Sequence, residues 1–181
     1  MRHTLALLAV LALALVGCTG DGDATDGDAP AALSLDTGTG PLPEATFVDL
    51  RDPEVEVSTT DWLGTPTIVN FWATWCGFCV EEMPDLQAAS EDLGGQVRFV
   101  GIDRQDPRDA ALTFLDETGV TYDQVASPDG RYYNEVGARG MPTTLFVDAD
   151  GVVQYRHTGP ITREQVLELV EEHLAVSAAT G

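Results

Sequence analysis

At 181 residues, 44% of them hydrophobic, the chain has the length of one globular domain with appendages and too much apolar content to be disordered throughout. Nine arginines, no lysine and 30 Asp plus Glu give a formal net charge of −21, which repels phosphate backbones and anionic headgroups and argues against nucleic acid as a partner. The charge fits a solvated surface first, and a face selecting a basic partner second.

The chain opens with Arg2 as a short positive region, then an apolar stretch of 13 residues from Thr4 to Val16. That is short for a bilayer span and suits the hydrophobic part of a signal peptide, assigned here to residues 1–17. Leu15-Val16-Gly17-Cys18 resembles the lipobox of bacterial lipoproteins, in which the cysteine is diacylated and becomes the mature N-terminus. The alternative is a plain secretory signal with an incidental cysteine. Lipidation of Cys18 would leave Cys76 and Cys79 as a pair among the three cysteines, and two acyl chains suffice for stable anchoring. Residues 18–40 are rich in Gly, Asp, Thr and Ala, and read as a flexible acidic tether. A folded domain is expected over 41–176, with a short tail at 177–181.

Inside that domain, strand and helix signals alternate. Thr46–Leu50 and Glu54–Val57 read as short strands, and Thr67–Ala73 as a central strand covered on both faces. A helix is expected from Gly77 to Gly94-Gly95, bent by Pro84. Gln96–Asp103 is a second buried strand. Asp106 then serves as an N-cap with Pro107 at the first helical position, and Gly119 closes that helix. Asp148-Ala149-Asp150-Gly151 marks the turn of a hairpin between Thr143–Val147 and Val152–His157. Thr162-x-x-Gln165 resembles a capping box, opening a helix whose Val166, Leu169, Val170 and Leu174 share one face. The order predicts an α/β fold with a central mixed sheet flanked by helices.

The chemistry gathers at Cys76-Gly77-Phe78-Cys79, directly after the central strand and opening a helix. Two intervening residues let both sulfurs meet across one turn. Only a thiolate attacks a disulfide, and a free thiol with a pKa of about 8.5 is a few per cent ionised near neutrality. The helix N-terminus supplies positive potential and free N–H groups that stabilise the anion. Cys76 is therefore the attacking residue and Cys79 the resolving one. A zinc site would need a second Cys or His pair, and His157 and His173 lack the spacing. An inert structural bridge would not need the strand-to-helix junction. No metal and no cofactor are called for.

Val69 to Cys79, followed by Glu81-Glu82-Met83-Pro84, and Gly140 to Asp148 (GMPTTLFVD) resemble the thioredoxin superfamily, specifically its exported TlpA/ResA-like redoxin branch. The resemblance covers about Pro41 to Leu174 and implies a thioredoxin-like fold. It implies that Pro142 is a cis-proline facing the cysteine pair, leaving the backbone of Met141 as an edge on which an extended client pairs. Met141 would touch the client. Typical thioredoxins carry a buried Asp six residues before the first cysteine; here Asn70 stands there and cannot titrate. The branch often has a glutamate three residues after the second cysteine, a place held by Glu82, so Glu82 is the candidate proton carrier for Cys79. The competing reading makes Glu82 a solvent-facing helix residue like its neighbour Glu81. Trp72 and Trp75 are expected to pack in the core and active site, Trp75 also being placed for client contact.

The resemblance implies an extracytoplasmic thiol–disulfide oxidoreductase, a lipoprotein on the bacterial cell membrane, most simply a reductant. Its clients would be proteins with disulfides or thiols, apocytochrome c among them, and its electron donor a membrane protein of the CcdA/DsbD type. Phe78 stands where the common pattern has proline, so the direction of electron flow stays open. The alternatives are a disulfide-forming oxidant of the same fold and a non-catalytic lipoprotein that binds a partner or haem. The Pro-x3-Thr-x2-Cys context of peroxiredoxins is absent.

Overall fold

The computed structural model describes residues 39–178. The expected signal segment, Cys18, nearly all of the tether and the end of the tail lie outside the described residues. Among the described residues, no helix is long and apolar enough to cross a membrane.

Eight strands form one mixed sheet: β1 (Gly40–Pro41), β2 (Thr46–Asp49), β3 (Glu56–Ser58), β4 (Thr67–Trp72), β5 (Arg98–Arg104), β6 (Asp123–Ser127), β7 (Thr143–Val147) and β8 (Val152–Thr158). Their order across the sheet is β1-β8-β7-β4-β5-β6-β2-β3. β4, β5 and β6 run parallel, joined through helices, while β7 lies antiparallel against the other side of β4. The helices are α1 (Gly77–Leu93), α2 (Arg108–Thr118), α3 (Arg131–Glu135) and α4 (Arg163–Leu174), with a 3-10 turn over Thr59–Trp62.

β4 shows why its sequence reads as continuously apolar. All six of its residues are buried, and its side chains alternate between two cores, as a strand requires. Ile68 and Trp72 join a cluster with residues of α1, α2 and α4; Val69 and Phe71 join another, with Tyr132 and Tyr133 of α3. Asn70 falls by the same alternation on the α1 face.

The expected elements appear with ends shifted by a residue or two, as is usual where helices and strands fray. α1 ends where Gly94 takes a left-handed conformation at φ 54°, accepted without cost by glycine. The capping box of α4 is made: Thr162 Oγ1 accepts the Gln165 amide and Gln165 Oε1 accepts the Thr162 amide. The start of α2 differs from expectation. Its N-cap is Pro107, with no side-chain cap, because the Asp106 carboxylate is turned toward Thr74, where it accepts the backbone amide at 2.6 Å and the hydroxyl at 2.9 Å.

Candidate active site

Parallel pairing sets Trp72 opposite Asp103, and antiparallel pairing sets Phe71 opposite Thr143. The C-terminal ends of β4 and β5 and the start of β7 therefore meet at one end of the sheet. The segments carrying Trp75 to Cys79, Asp103 to Asp106 and Met141-Pro142 all leave the sheet there. Six of the seven residues singled out from sequence lie at this end or on the helix that starts from it; Cys18 lies outside the described residues.

Cys76 is the N-cap of α1 and is disulfide-bonded to Cys79, with Cα atoms 5.3 Å apart. Its Sγ accepts the Cys79 amide at 3.3 Å, an N–H at the helix start that is shared with the Cys76 carbonyl at 3.0 Å. Cys76 is 6% exposed and Cys79 is fully buried. This gradient leaves the first sulfur the more reachable one. Around it, Trp75 and Phe78 are 63% and 58% exposed, which gives the site an apolar rim. Trp72 is wholly buried, stacks on Phe114 and donates its indole N–H to Gln124. The two tryptophans thus separate: Trp72 packs in the core, whereas Trp75 does not pack there, because it lies past the end of β4 in the exposed turn.

Glu82 is buried on the face of α1 that also carries Cys79, one turn away. Its Oε1 accepts Asn70 Nδ2 at 2.8 Å and its Oε2 accepts the Ile161 amide at 3.0 Å. Burial pushes its pKa from 4.5 up to about 8, with Asp85 adding to the rise and the two hydrogen bonds opposing it. A shallow cleft of about 260 Å³, lined by Glu82, Asp85 and Pro160 among others, connects it to the surface. The solvent-facing alternative does not describe this side chain: it is 2% exposed. Asn70 also donates to Thr144 Oγ1 on β7, which links α1, β4 and β7 through one amide.

The Met141–Pro142 peptide bond is cis. Pro142 is buried, and Met141 is half-buried against both cores.

A second buried acid was not singled out from the sequence. Asp103 is 1% exposed; burial first, and then the carboxyl of Asp106, raise its pKa from 3.8 to about 8. Its Oδ2 accepts the Asp106 amide, while Oδ1 has no partner. Asp103 is thus disposed to keep a proton, and the Asp106 carboxyl beside it holds Thr74 two residues before Cys76. The signal was available as Asp103-x-x-Asp106 at the end of a buried strand, but an acid before proline also fits a helix cap. Arg104, the last residue of β5, was likewise passed over. Its guanidinium lies 4.5 Å from the centroid of the Tyr133 ring and points Nη1 at Met141 Sδ, 3.8 Å away.

A buried carboxyl on the helix of a vicinal cysteine pair can accept a proton when a thiolate is needed and return it afterwards. The comparisons agree with that geometry. The thiol:disulfide interchange protein DsbE of Xylella fastidiosa (strain Temecula1) is 32% identical over 70% of this chain, and the chain spans 64% of that relative's length. The protein of the same name from Vibrio cholerae is 31% identical, with 93% of both chains covered. Among solved structures, a thiol:disulfide interchange protein of the thioredoxin family from Chlorobium tepidum superposes with a TM-score of 0.64 at 27% identity, covering 74% of this chain and 94% of that one. The fold is thioredoxin-like. The Redoxin family model matches residues 38–172, and the chain belongs to the redoxin family.

Proposed function

We propose that the chain is a thiol–disulfide oxidoreductase that exchanges disulfides with client proteins through Cys76 and Cys79, working as a reductant. The observation that carries this reading is the cysteine pair capping α1 beside an exposed apolar rim, with Glu82 buried one turn further along. The Cys76 thiolate attacks one sulfur of a client disulfide, forming a mixed disulfide and releasing a client thiolate. Cys79, its proton passed to Glu82, then attacks Cys76 Sγ, closes the Cys76–Cys79 bond and releases the second client thiolate. Two electrons leave the pair for the client. Trp75 and Met141 contact the client, and the Met141-Pro142 segment offers its backbone as an edge for an extended strand.

The setting is part of the same proposal. An N-terminal signal and lipidation at Cys18 hold the domain on the outer face of the bacterial cell membrane, and residues 18–40 give it reach. Apocytochrome c is the client class we favour, with re-reduction by a membrane donor of the CcdA/DsbD type. Support comes from the lipobox-like residues 15–18 and from the DsbE relatives.

Equilibrium titration of the pair against dithiothreitol or glutathione tests the direction of transfer. Potentials in this superfamily run from about −270 to −120 mV. A value toward the low end is expected; a value near the high end would make the protein an oxidant.

A further inference from the structure

Eight arginines fall among the described residues, in a chain whose acids outnumber its cations by more than three to one. Anionic partners are therefore plentiful, and six of these arginines hold a carboxylate or a backbone carbonyl. Arg98, Arg131 and Arg163 pair with Asp123, Asp129 and Asp92. Arg51, Arg108 and Arg156 donate to backbone carbonyls of Val120, Arg51 and Val136. For Arg104 and Arg139 the described residues supply neither a carboxylate nor a carbonyl. Arg104 contacts Met141, and Arg139 lies two residues before it in the chain. Arg104 reaches its sulfur from β5, propped on the Tyr133 ring, with its Nε buried and unpartnered. Arg139 is exposed two residues earlier in the same loop.

We propose that Arg104 and Arg139 make the Met141-Pro142 edge a dock for client segments that carry a carboxylate beside the reacting cysteine. The inference rests on the exchange activity proposed above and names its preferred substrate class. A net charge of −21 repels an acidic peptide at long range, so local cations at the point of attack are what would admit one. The exposed side chains next to the cysteines in the chain, Trp75 and Phe78, are apolar, so the two halves of the rim would read different features of one client. Tyr133 fixes the Arg104 fork before the client arrives, which reduces the ordering cost on binding.

The test uses the reduced protein and two peptide disulfides that differ only in aspartate or asparagine on both sides of the cysteine. Pairs of this exposure are each worth a factor of about two to five, so with both formed the aspartate peptide is expected to exchange about four- to twenty-five-fold faster at low ionic strength. That ratio should shrink in about 0.5 M salt. It should fall toward one in the Arg104→Gln/Arg139→Gln double variant and persist in Arg98→Gln, which removes the same charge at the far end of β5. Arg139→Gln alone alters only an exposed side chain and should lower the ratio partway, which keeps the test open if Arg104 cannot be replaced without misfolding. Equal rates for the two peptides, or a ratio that survives in the double variant, would overturn the inference. Failure to exchange with either peptide would instead overturn the oxidoreductase reading on which it stands.

Discussion

Glu82 is held in a state between two needs. Burial favours its neutral form, while Asn70 and the Ile161 amide give both oxygens donors, so the anion is tolerated when it forms. With a pKa near 8, Glu82 carries its proton at neutral pH and becomes the competent base as pH rises. Glu82→Gln keeps the shape and removes the titration. We expect the resolving step, read as decay of the Cys76 mixed disulfide in stopped flow, to slow by about 100-fold or more and to lose its rise toward pH 8. An unaltered pH profile would remove Glu82 from the mechanism. Sequence could name this residue, because its offset from Cys79 is fixed by the helix, but it left open whether the side chain is buried or faces solvent like Glu81. The packing of α1 on β4, where Asn70 reaches Oε1, and of α4's entry loop, which brings the Ile161 amide to Oε2, separates the buried acid from the exposed one. Asp103 was hidden for a related reason: its burial comes from a neighbouring strand and helix, contacts absent from its local pattern.

At the scale of elements, the apolar runs made β4 and β5 legible, the one-sided stripe α4, the turn at 148–151 the β7–β8 hairpin, and the closing Gly94-Gly95 the end of α1. β6 (Asp123–Ser127) and α3 (Arg131–Glu135) were not legible. They are five residues each, too short for periodicity to accumulate, and β6 carries a buried glutamine where an apolar residue would be expected. Gln124 has a reason to be there. It crosses β5 at Gly101 to accept the Trp72 indole N–H at 2.8 Å, and a Cβ on Gly101 would stand 2.1 Å from its Oε1. Gly101 thus provides the gap through which β6 ties to β4. Gly101→Ala should force Gln124 aside, leave the Trp72 donor unpaired and cost about 1–3 kcal/mol in urea unfolding. Gly101→Ala/Gln124→Ala, which clears the clash but not the orphaned indole, should recover only part of that loss. A neutral Gly101→Ala would mean the side chain relocates freely.

For the molecule as a whole, two electrostatic effects share a sign. Glu82 and Asp103 have folded-state pKa values raised to about 8, above their unfolded values of 4.5 and 3.8. The folded state therefore binds more protons than the unfolded one between those limits. The stability these groups contribute is complete below the unfolded values and is lost as pH climbs through 8. Self-repulsion of the −21 charge adds to the loss over the upper part of that range. The unfolding free energy from denaturant titration should fall from about pH 5 to pH 9 by an amount on the order of a few kcal/mol, with the midpoint falling in step. Salt should restore the surface part, and Glu82→Gln should remove its own share of the rest, leaving that of Asp103. A midpoint that rises with pH would show that neither buried acid is neutral in the folded protein. The overall charge was readable from composition, whereas the two buried protons were not, since they arise from how three strands and two helices close over one end of the sheet. That closure is what the proposed exchange chemistry depends on. The most direct measurement is covalent trapping with Cys79→Ser, in which the resolving thiol is absent. We predict a reductant-sensitive adduct between Cys76 and a disulfide-bearing client protein, absent when Cys76→Ser is added. No adduct with Cys79→Ser, together with a biological role left intact in Cys76→Ser, would contradict the assignment of this pair as the reacting dithiol.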